Sequence, residues 1–344
     1  MMSTQSAARA GLVAAGHPAV AAAASEILDA GGNAFDAAVA AGFAAAVAEP
    51  ALTSLAGGGF LLARTADGTA TFFDFFVDTP GLGADRAVEP HFTEVVVAFA
   101  AADQSFHCGP GSVAVPGVLD GYVHVHRRLG RLELAQVVAP ARRLAIDGVP
   151  LGPAQSSVVA LLESILLRTA EGRALFAPRG ALLQNGDRFY NPDFARTLDA
   201  IAAGAIAAFA DAPVAAPLIE AMRSGNGLIT ATDLAAYRVR ERAPLSVPIG
   251  ADTLLTAPAP SFGGRLLDAM IQRIWPSDTS HGAVDPVEFA QRFLGASIDI
   301  ENDRAVLLAA DPARPICERG TTHISVCDAE GNVASMTTSN GECS

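Results

Sequence analysis

The sequence predicts a layered α/β fold of α+β type, and three observations carry that prediction. The opening reads as helix, helix, hairpin. The middle is a run of amphipathic helical segments. The last described motif switches back to strict alternation, the signature of a β-hairpin. With 344 residues, 51% of them hydrophobic and 17% charged, the chain can bury a sizeable core.

The elements follow in order. His17-Pro18 opens a helical pattern that runs to Ala30, with Pro18 in the first turn and Gly31-Gly32 as the stop. Asn33 caps a second helix, with Asp36 three residues on in capping-box position. That helix is mostly alanine on every face up to Glu49-Pro50, so it must be buried against a neighbour. Gly57-Gly58-Gly59 breaks the pattern. Phe60 to Ala63 and Ala70 to Phe76 then read as two strands joined through Asp67-Gly68. Gly117 to Leu129 and Leu134 to Asp147 are periodic, each closed by a glycine, and further helices are predicted over Pro192 to Ala208 and Pro213 to Ser224. Thr230 to Asp233 is another capping box. Pro244 to Thr256 alternates like strands, and Pro258 to Gly264 turns into a helix at Leu266. Ser277 to Gly320 mixes prolines, charges and weak periodicity and is read as the domain seam.

From Thr321 to Cys327 the chain alternates, turns at Asp328 to Asn332, and alternates again from Val333 to Thr337. Taken alone, these threonines say only that β-branched residues suit strands.

The motifs around them say more. Gly320 to Thr337, read as Gly-Thr-Thr-His-x-Ser-Val-x-Asp-x-x-Gly-Asn-x-x-Ser-x-Thr, resembles the processing junction of the gamma-glutamyltransferase family of N-terminal nucleophile hydrolases. Gly31 to Ala40 is similar to the family's N-terminal signature. Glu49-Pro50, Gly57 to Phe60, Gly227 to Tyr237 and Pro258 to Gly264 follow in the family's order. The likeness is collinear from about Gly11 onward, and weakest over Leu161 to Tyr190 and Ser277 to Arg319. It implies an αββα sandwich, here incomplete, with a helical lobe. It also implies a large-subunit-like region over residues 1–320 and the start of a small-subunit-like region over 321–344.

By the same resemblance, Thr321 is the nucleophile of an amide hydrolase or acyl transferase, released by self-cleavage at Gly320–Thr321. The chemistry is sound, because a threonine hydroxyl needs a base within reach. An N-terminal amine on the same residue, with a pKa of about 7.7–8.0, supplies one. Ser339 stands where the family has a hydroxyl residue bonded to the nucleophile, and Asn340 and Gly341 lie in its substrate-facing turn. His323 is read as a strand residue rather than a base. Two departures stand out. Family members that use glutamyl substrates carry an arginine in a segment like Asp-Phe-Arg-Glu-Thr-Ala-Pro, and here Phe76 takes its place in Asp74 to Pro80. A phenyl ring cannot replace a bidentate guanidinium clamp. The sequence given also stops at Ser344, ahead of most of the family's small subunit, so the Thr321 hairpin is expected to have unpaired edges and the junction to stay largely uncut. Two alternatives to the glutamyl enzyme therefore stand beside it. One is a non-catalytic fragment, or a subunit completed by a separately encoded small subunit or by homo-oligomerisation. The other is a related acylase acting on a non-glutamyl amide.

The net charge of −13 argues against nucleic acid and against an anionic membrane surface as partners, leaving a small-molecule amide. The N-terminus lacks a signal-peptide pattern and no apolar run is long enough to span a bilayer, so a cytoplasmic protein is expected. Cys108, Cys317, Cys327 and Cys343 form no C-x-x-C pair and are expected to be reduced thiols. His124 and His126 are spaced i, i+2, which separates them on a helix, and Gly57 to Gly59 lacks the lysine of a phosphate loop. No metal and no cofactor are expected.

Overall fold

Alternation and capping place the elements of the protein, seen here in a computed structural model that describes residues 11–84, 89–99, 103–250, 252–275, 285–308 and 321–341. A short strand β1 (Leu12–Ala15) leads into α1 (Pro18–Asp29), whose first turn is capped by the His17 ring accepting from the Ala19 N–H at 3.1 Å. Helix α2 (Ala34–Ala48) carries the predicted capping box: Asn33 Oδ1 accepts from the N–H groups of Phe35 and Asp36, and Asp36 Oδ2 accepts from that of Asn33. All fifteen residues of α2 are buried. Its small side chains let α1, α4 and the sheet approach from different sides.

The chain continues through β2 (Gly58–Arg64), β3 (Ala70–Phe75), β4 (Thr93–Ala98) and β5 (Asp103–Cys108) to α3 (Val118–Leu129) and α4 (Leu134–Asp147). Then come β6 (Val149–Pro150), α5 (Pro153–Leu161), α6 (Glu163–Leu166), α7 (Ala170–Phe176), β7 (Arg188–Phe189), α8 (Pro192–Ala202), α9 (Ala212–Ser224) and α10 (Ala231–Ala236). Helix α8 stops at Ala202, six residues before the predicted end, because the backbone turns at Gly204 with a φ of 73°. The remaining elements are β8 (Arg240–Arg242), β9 (Leu245–Ile249), β10 (Asp252–Thr256), α11 (Phe262–Ile274), α12 (Pro286–Leu308), β11 (Thr322–Cys327) and β12 (Val333–Ser339).

Two compact units divide the chain. One holds residues 1–69, 73–240 and 318–344, and the other holds 70–72 and 241–317. The second unit's described residues include the β9–β10 hairpin and the pair α11–α12, joined by the Arg273–Asp303 ion pair at 2.9 Å. Within the predicted seam, α12 is a 23-residue helix that the weak periodicity hid.

The main sheet has the order β1-β11-β12-β2-β3-β8. Its register corrects one expectation. The hairpin of β11 and β12 has no unpaired edge, since β1 pairs with β11 from Leu12↔Cys327 to Ala15↔Ile324, and β12 pairs with β2 from Val333↔Arg64 to Ser339↔Gly58. Local alternation reveals a strand but not its neighbours, and the short β1 was not recognised as a strand. Ile324, Val326, Ala334, Met336, Leu61 and Ala63 face α2 and form one core with it. By the two-residue period, the opposite face carries His323, Ser325, Ser335 and Thr337.

Candidate active site

The predicted nucleophile lies at the start of a central strand. Thr321 is exposed immediately before β11, and its hydroxyl donates to Ser339 Oγ at 3.3 Å across the hairpin. Ser339 Oγ also accepts the Gly341 N–H at 3.0 Å, which fixes the turn after β12. Gly320 lies outside the described residues.

The turn is anchored from behind. The Asn340 N–H donates to the Leu52 carbonyl at 3.0 Å, its side-chain oxygen accepts from Ser54 Oγ at 2.7 Å, and its side-chain nitrogen donates to the Pro50 carbonyl at 3.4 Å. Both ends of the Asn340 amide thus hold the loop after α2 against the hairpin. The three glycines Gly57 to Gly59 serve close approach rather than phosphate binding. A side chain on Gly57 would strike the Ser339 carbonyl, and one on Gly59 the Thr337 carbonyl.

Beneath Thr321 the sheet carries buried polar pairs that no single motif announced. Thr322 and Thr338 are register partners on the inner face. Thr322 Oγ1 donates to Glu49 Oε2 at 2.8 Å, and Thr53 Oγ1 donates to Thr338 Oγ1 at 3.0 Å. Burial pushes the Glu49 carboxyl up, and the Thr322 bond opposes that shift. On the outer face His323 Nδ1 lies 2.7 Å from Thr337 Oγ1, while its Nε2 lies 3.1 Å from Ser325 Oγ and 3.3 Å from Ser335 Oγ. Burial pulls the His323 ring below its ordinary value, and the ring is held among hydroxyls.

Thr321, Ser339, Asn340, Gly341 and Phe76 all line one cavity of about 850 Å³. Phe76, half exposed, stacks on Phe60 with ring centroids 5.3 Å apart and planes 1° apart. Its carbonyl accepts the Tyr237 hydroxyl at 2.9 Å. The far wall comes from the end of β5 and the turn after α6, including His107, Cys108 and Arg168. The sequence reading missed this wall, because a two-stranded ribbon and a pair of very short helices leave little periodic signal. Asp120, whose carboxyl burial pushes up to about 6, accepts the Phe209 N–H and does not line the cavity. Among the described residues no cluster of His, Cys, Asp and Glu is arranged to hold a metal, and no helix is long and apolar enough to cross a membrane. Cys108 and Cys327 are free thiols, and Cys317 and Cys343 lie outside the described residues.

The family model for gamma-glutamyltranspeptidase matches residues 20–315. The chain is 32% identical to an acylase ACY 1 proenzyme of Pseudomonas sp. (strain SE83), over 95% of the chain and 64% of that relative. It is 31% identical to a glutathione hydrolase proenzyme of Pseudomonas aeruginosa, over 91% of the chain and 61% of that relative. The chain thus spans less than two thirds of the length of these curated relatives. The crystal structure of Helicobacter pylori gamma-glutamyltranspeptidase superposes with a TM-score of 0.68 at 28% identity, covering 83% of this chain and 81% of that one.

Proposed function

The chain belongs to the gamma-glutamyltranspeptidase family, and on that premise we propose that Thr321 is the nucleophile of an amide hydrolase or acyl transferase released by cleavage of its own Gly320–Thr321 bond. The observation that carries the reading is the Thr321–Ser339 hydroxyl pair on the wall of the cavity. Thr321 Oγ attacks the Gly320 carbonyl, the C–N bond breaks, and the new ester is opened by water. This leaves a Gly320 carboxylate and a free Thr321 amine. That amine, with a pKa of about 7.7–8.0, takes the hydroxyl proton when Thr321 attacks a substrate amide. The leaving amine departs protonated, and the acyl group passes from Thr321 to water or to a second amine. Ser339 positions the attacking oxygen.

An uncut junction is the expectation for a hairpin without neighbours. Pairing of β11 with β1 and of β12 with β2 gives the hairpin a neighbour on each side, which supports a junction held in place. Both the acylase and the glutathione hydrolase among the relatives are proenzymes by name, which supports processing. The Phe60–Phe76 stack favours an apolar acyl group over one that carries a carboxylate against these rings, because an anion placed there loses its hydration.

The test is mass spectrometry of the purified protein together with amide turnover. We expect a fragment beginning at Thr321, and loss of both the fragment and turnover in Thr321→Ala. Unchanged turnover in Thr321→Ala would sink the reading.

A further inference from the structure

Glu49 lies where the supports of the two hydroxyls meet. It closes α2, with its N–H donating to the Ala45 carbonyl at 2.8 Å, and it is buried. Its side chain reaches one support. Glu49 Oε2 accepts the Thr322 hydroxyl at 2.8 Å, and Thr322 directly follows Thr321. Its backbone reaches the other. The Glu49 carbonyl accepts the N–H groups of Leu52 at 2.9 Å and Thr53 at 3.1 Å. The Leu52 carbonyl then accepts the Asn340 N–H, and Thr53 Oγ1 donates to Thr338 Oγ1, so this turn holds both chain neighbours of Ser339. Glu49 does not line the cavity, so any effect on Thr321 passes through these residues.

Stability alone does not call for a carboxyl here. Burial disfavours its charged form, and a packed apolar pair of similar volume would avoid that cost. The molecule nevertheless makes room for it. A Cβ on Gly16, between β1 and α1, would lie 2.7 Å from Glu49 Oε1 and 3.4 Å from Thr322 Oγ1. What the pair supplies is register. Thr322, Ile324 and Val326 are the buried positions of the start of β11, and a slip of one residue would turn Thr321 inward and away from Ser339. Apolar contacts carry no direction, whereas a hydroxyl–carboxylate bond holds at one distance and angle.

We infer that Glu49 is a positioning residue, which holds the Thr321 and Ser339 hydroxyls at their working separation through Thr322 on one side and the Leu52–Thr53 turn on the other. Its part in cleavage rests on the reading of Thr321 as nucleophile, whereas its hold on the strand can be read without any bond being cut.

The test follows the fragment beginning at Thr321 by intact mass at fixed times after cell-free synthesis. Glu49→Ala should slow its formation about ten- to a hundredfold, as loss of one charge-assisted hydrogen bond that sets reacting geometry implies. Glu49→Gln keeps an acceptor oxygen and should stay within about threefold of the unmodified protein. Thr322→Val should match Glu49→Ala, Thr322→Ser should restore the rate, and the double variant of Glu49→Ala with Thr322→Val should be no slower than either single one. Leu198→Ala, a deletion of a fully buried side chain in α8, should lower the melting temperature without slowing the fragment. Unmodified rates in Glu49→Ala and Thr322→Val overturn the inference. So do rates that simply follow melting temperature, or a loss in Glu49→Gln equal to that in Glu49→Ala. If Glu49→Ala does not fold, the isosteric Thr322→Val decides. No fragment from the unmodified protein sinks the nucleophile reading instead. Position is then read from the NMR methyl resonance of Thr321, assigned by its loss in Thr321→Ala. That resonance should shift or split in Glu49→Ala and stay in place in Glu49→Gln, and an unmoved resonance in both overturns the inference by itself.

Discussion

Two hairpins face each other across the cavity, and they are built to different standards. The β11–β12 hairpin lies inside a six-stranded sheet, with a strand bonded to each side and α2 packed on its inner face. The β4–β5 hairpin is a two-stranded sheet of its own, anchored by Val97, Phe106 and Cys108 against Ala51 and Leu162. The first presents the proposed nucleophile and the second presents His107 and Cys108. Chemistry needs fixed distances, so it sits where neighbours over-determine the backbone. Selectivity tolerates a wall with fewer restraints.

The largest effect that could break this contrast comes from matched core deletions. Met336 in β12 and Val97 in β4 are both almost fully buried. Met336→Ala should cost about 2–5 kcal/mol of global stability and abolish processing at Thr321. Val97→Ala should leave the main unfolding transition and processing in place and chiefly weaken substrate binding. Urea denaturation with an intact-mass readout checks both. Equal losses of global stability and processing in the two variants would remove the distinction.

A smaller effect tests what ties the β11–β12 hairpin to α2. Asp328, in the turn of the hairpin, accepts from the backbone N–H groups of Ala34, Glu330 and Asn332 and from the Asn332 side chain. Burial works against its ionised form, but these four donors together hold the carboxyl below the usual carboxylate range. A depressed pKa contributes stability that is fully present above the unfolded value of about 3.9 and is lost as pH falls through the lower folded value. Asp328→Asn should cost about 1–3 kcal/mol at neutral pH and flatten the acid limb of the stability curve below about pH 4. Thermal melts across that range measure it. An unchanged acid limb in the variant would show that the turn is not held by this charge.

The smallest expected effect sharpens the view of the cavity wall. Phe76→Arg exchanges one ring of the aromatic pair for a guanidinium in the cavity that the hydroxyl pair also lines. Use of a gamma-glutamyl anilide should rise about tenfold relative to the same anilide without its α-carboxylate. If the unmodified protein already prefers the carboxylate-bearing donor and the substitution adds nothing, Phe76 does not govern that end of the substrate.

What could be read in advance followed from local rules. The capping boxes at Asn33 and Thr230, the alanine helix from Ala34, and the alternation around Thr321 are patterns of a few residues, and each appears as read. The grouping of Thr321, Ser339, Asn340, Gly341 and Phe76 in one cavity followed from family motifs rather than from any period in the chain. Three kinds of element stayed hidden for physical reasons. Strand β1 is four residues long and bears no strong alternation. Strand β4 buries only Val97, and its three consecutive valines show no two-residue alternation. Helix α12 leaves Val287, Leu294 and Ile298 exposed, which blurs any division into apolar and polar faces. The far wall of the cavity comes from the end of β5 and the turn after α6, short elements with little periodic signal, which is why Arg168 could not be placed before the fold was known.

The pairing of Leu12 with Cys327 bears on time as well as geometry. Strands roughly three hundred positions apart must meet before the threonine is fixed, and closing so long a loop is an entropic barrier that local contacts do nothing to lower. A newly made chain therefore passes through a late step, after its helices have formed, in which the nucleophile is first brought into register. On the proposed reading, the Thr321 hydroxyl is positioned only once β1 and β11 have paired. Assembly of the sheet would thus set the earliest moment for the proposed chemistry.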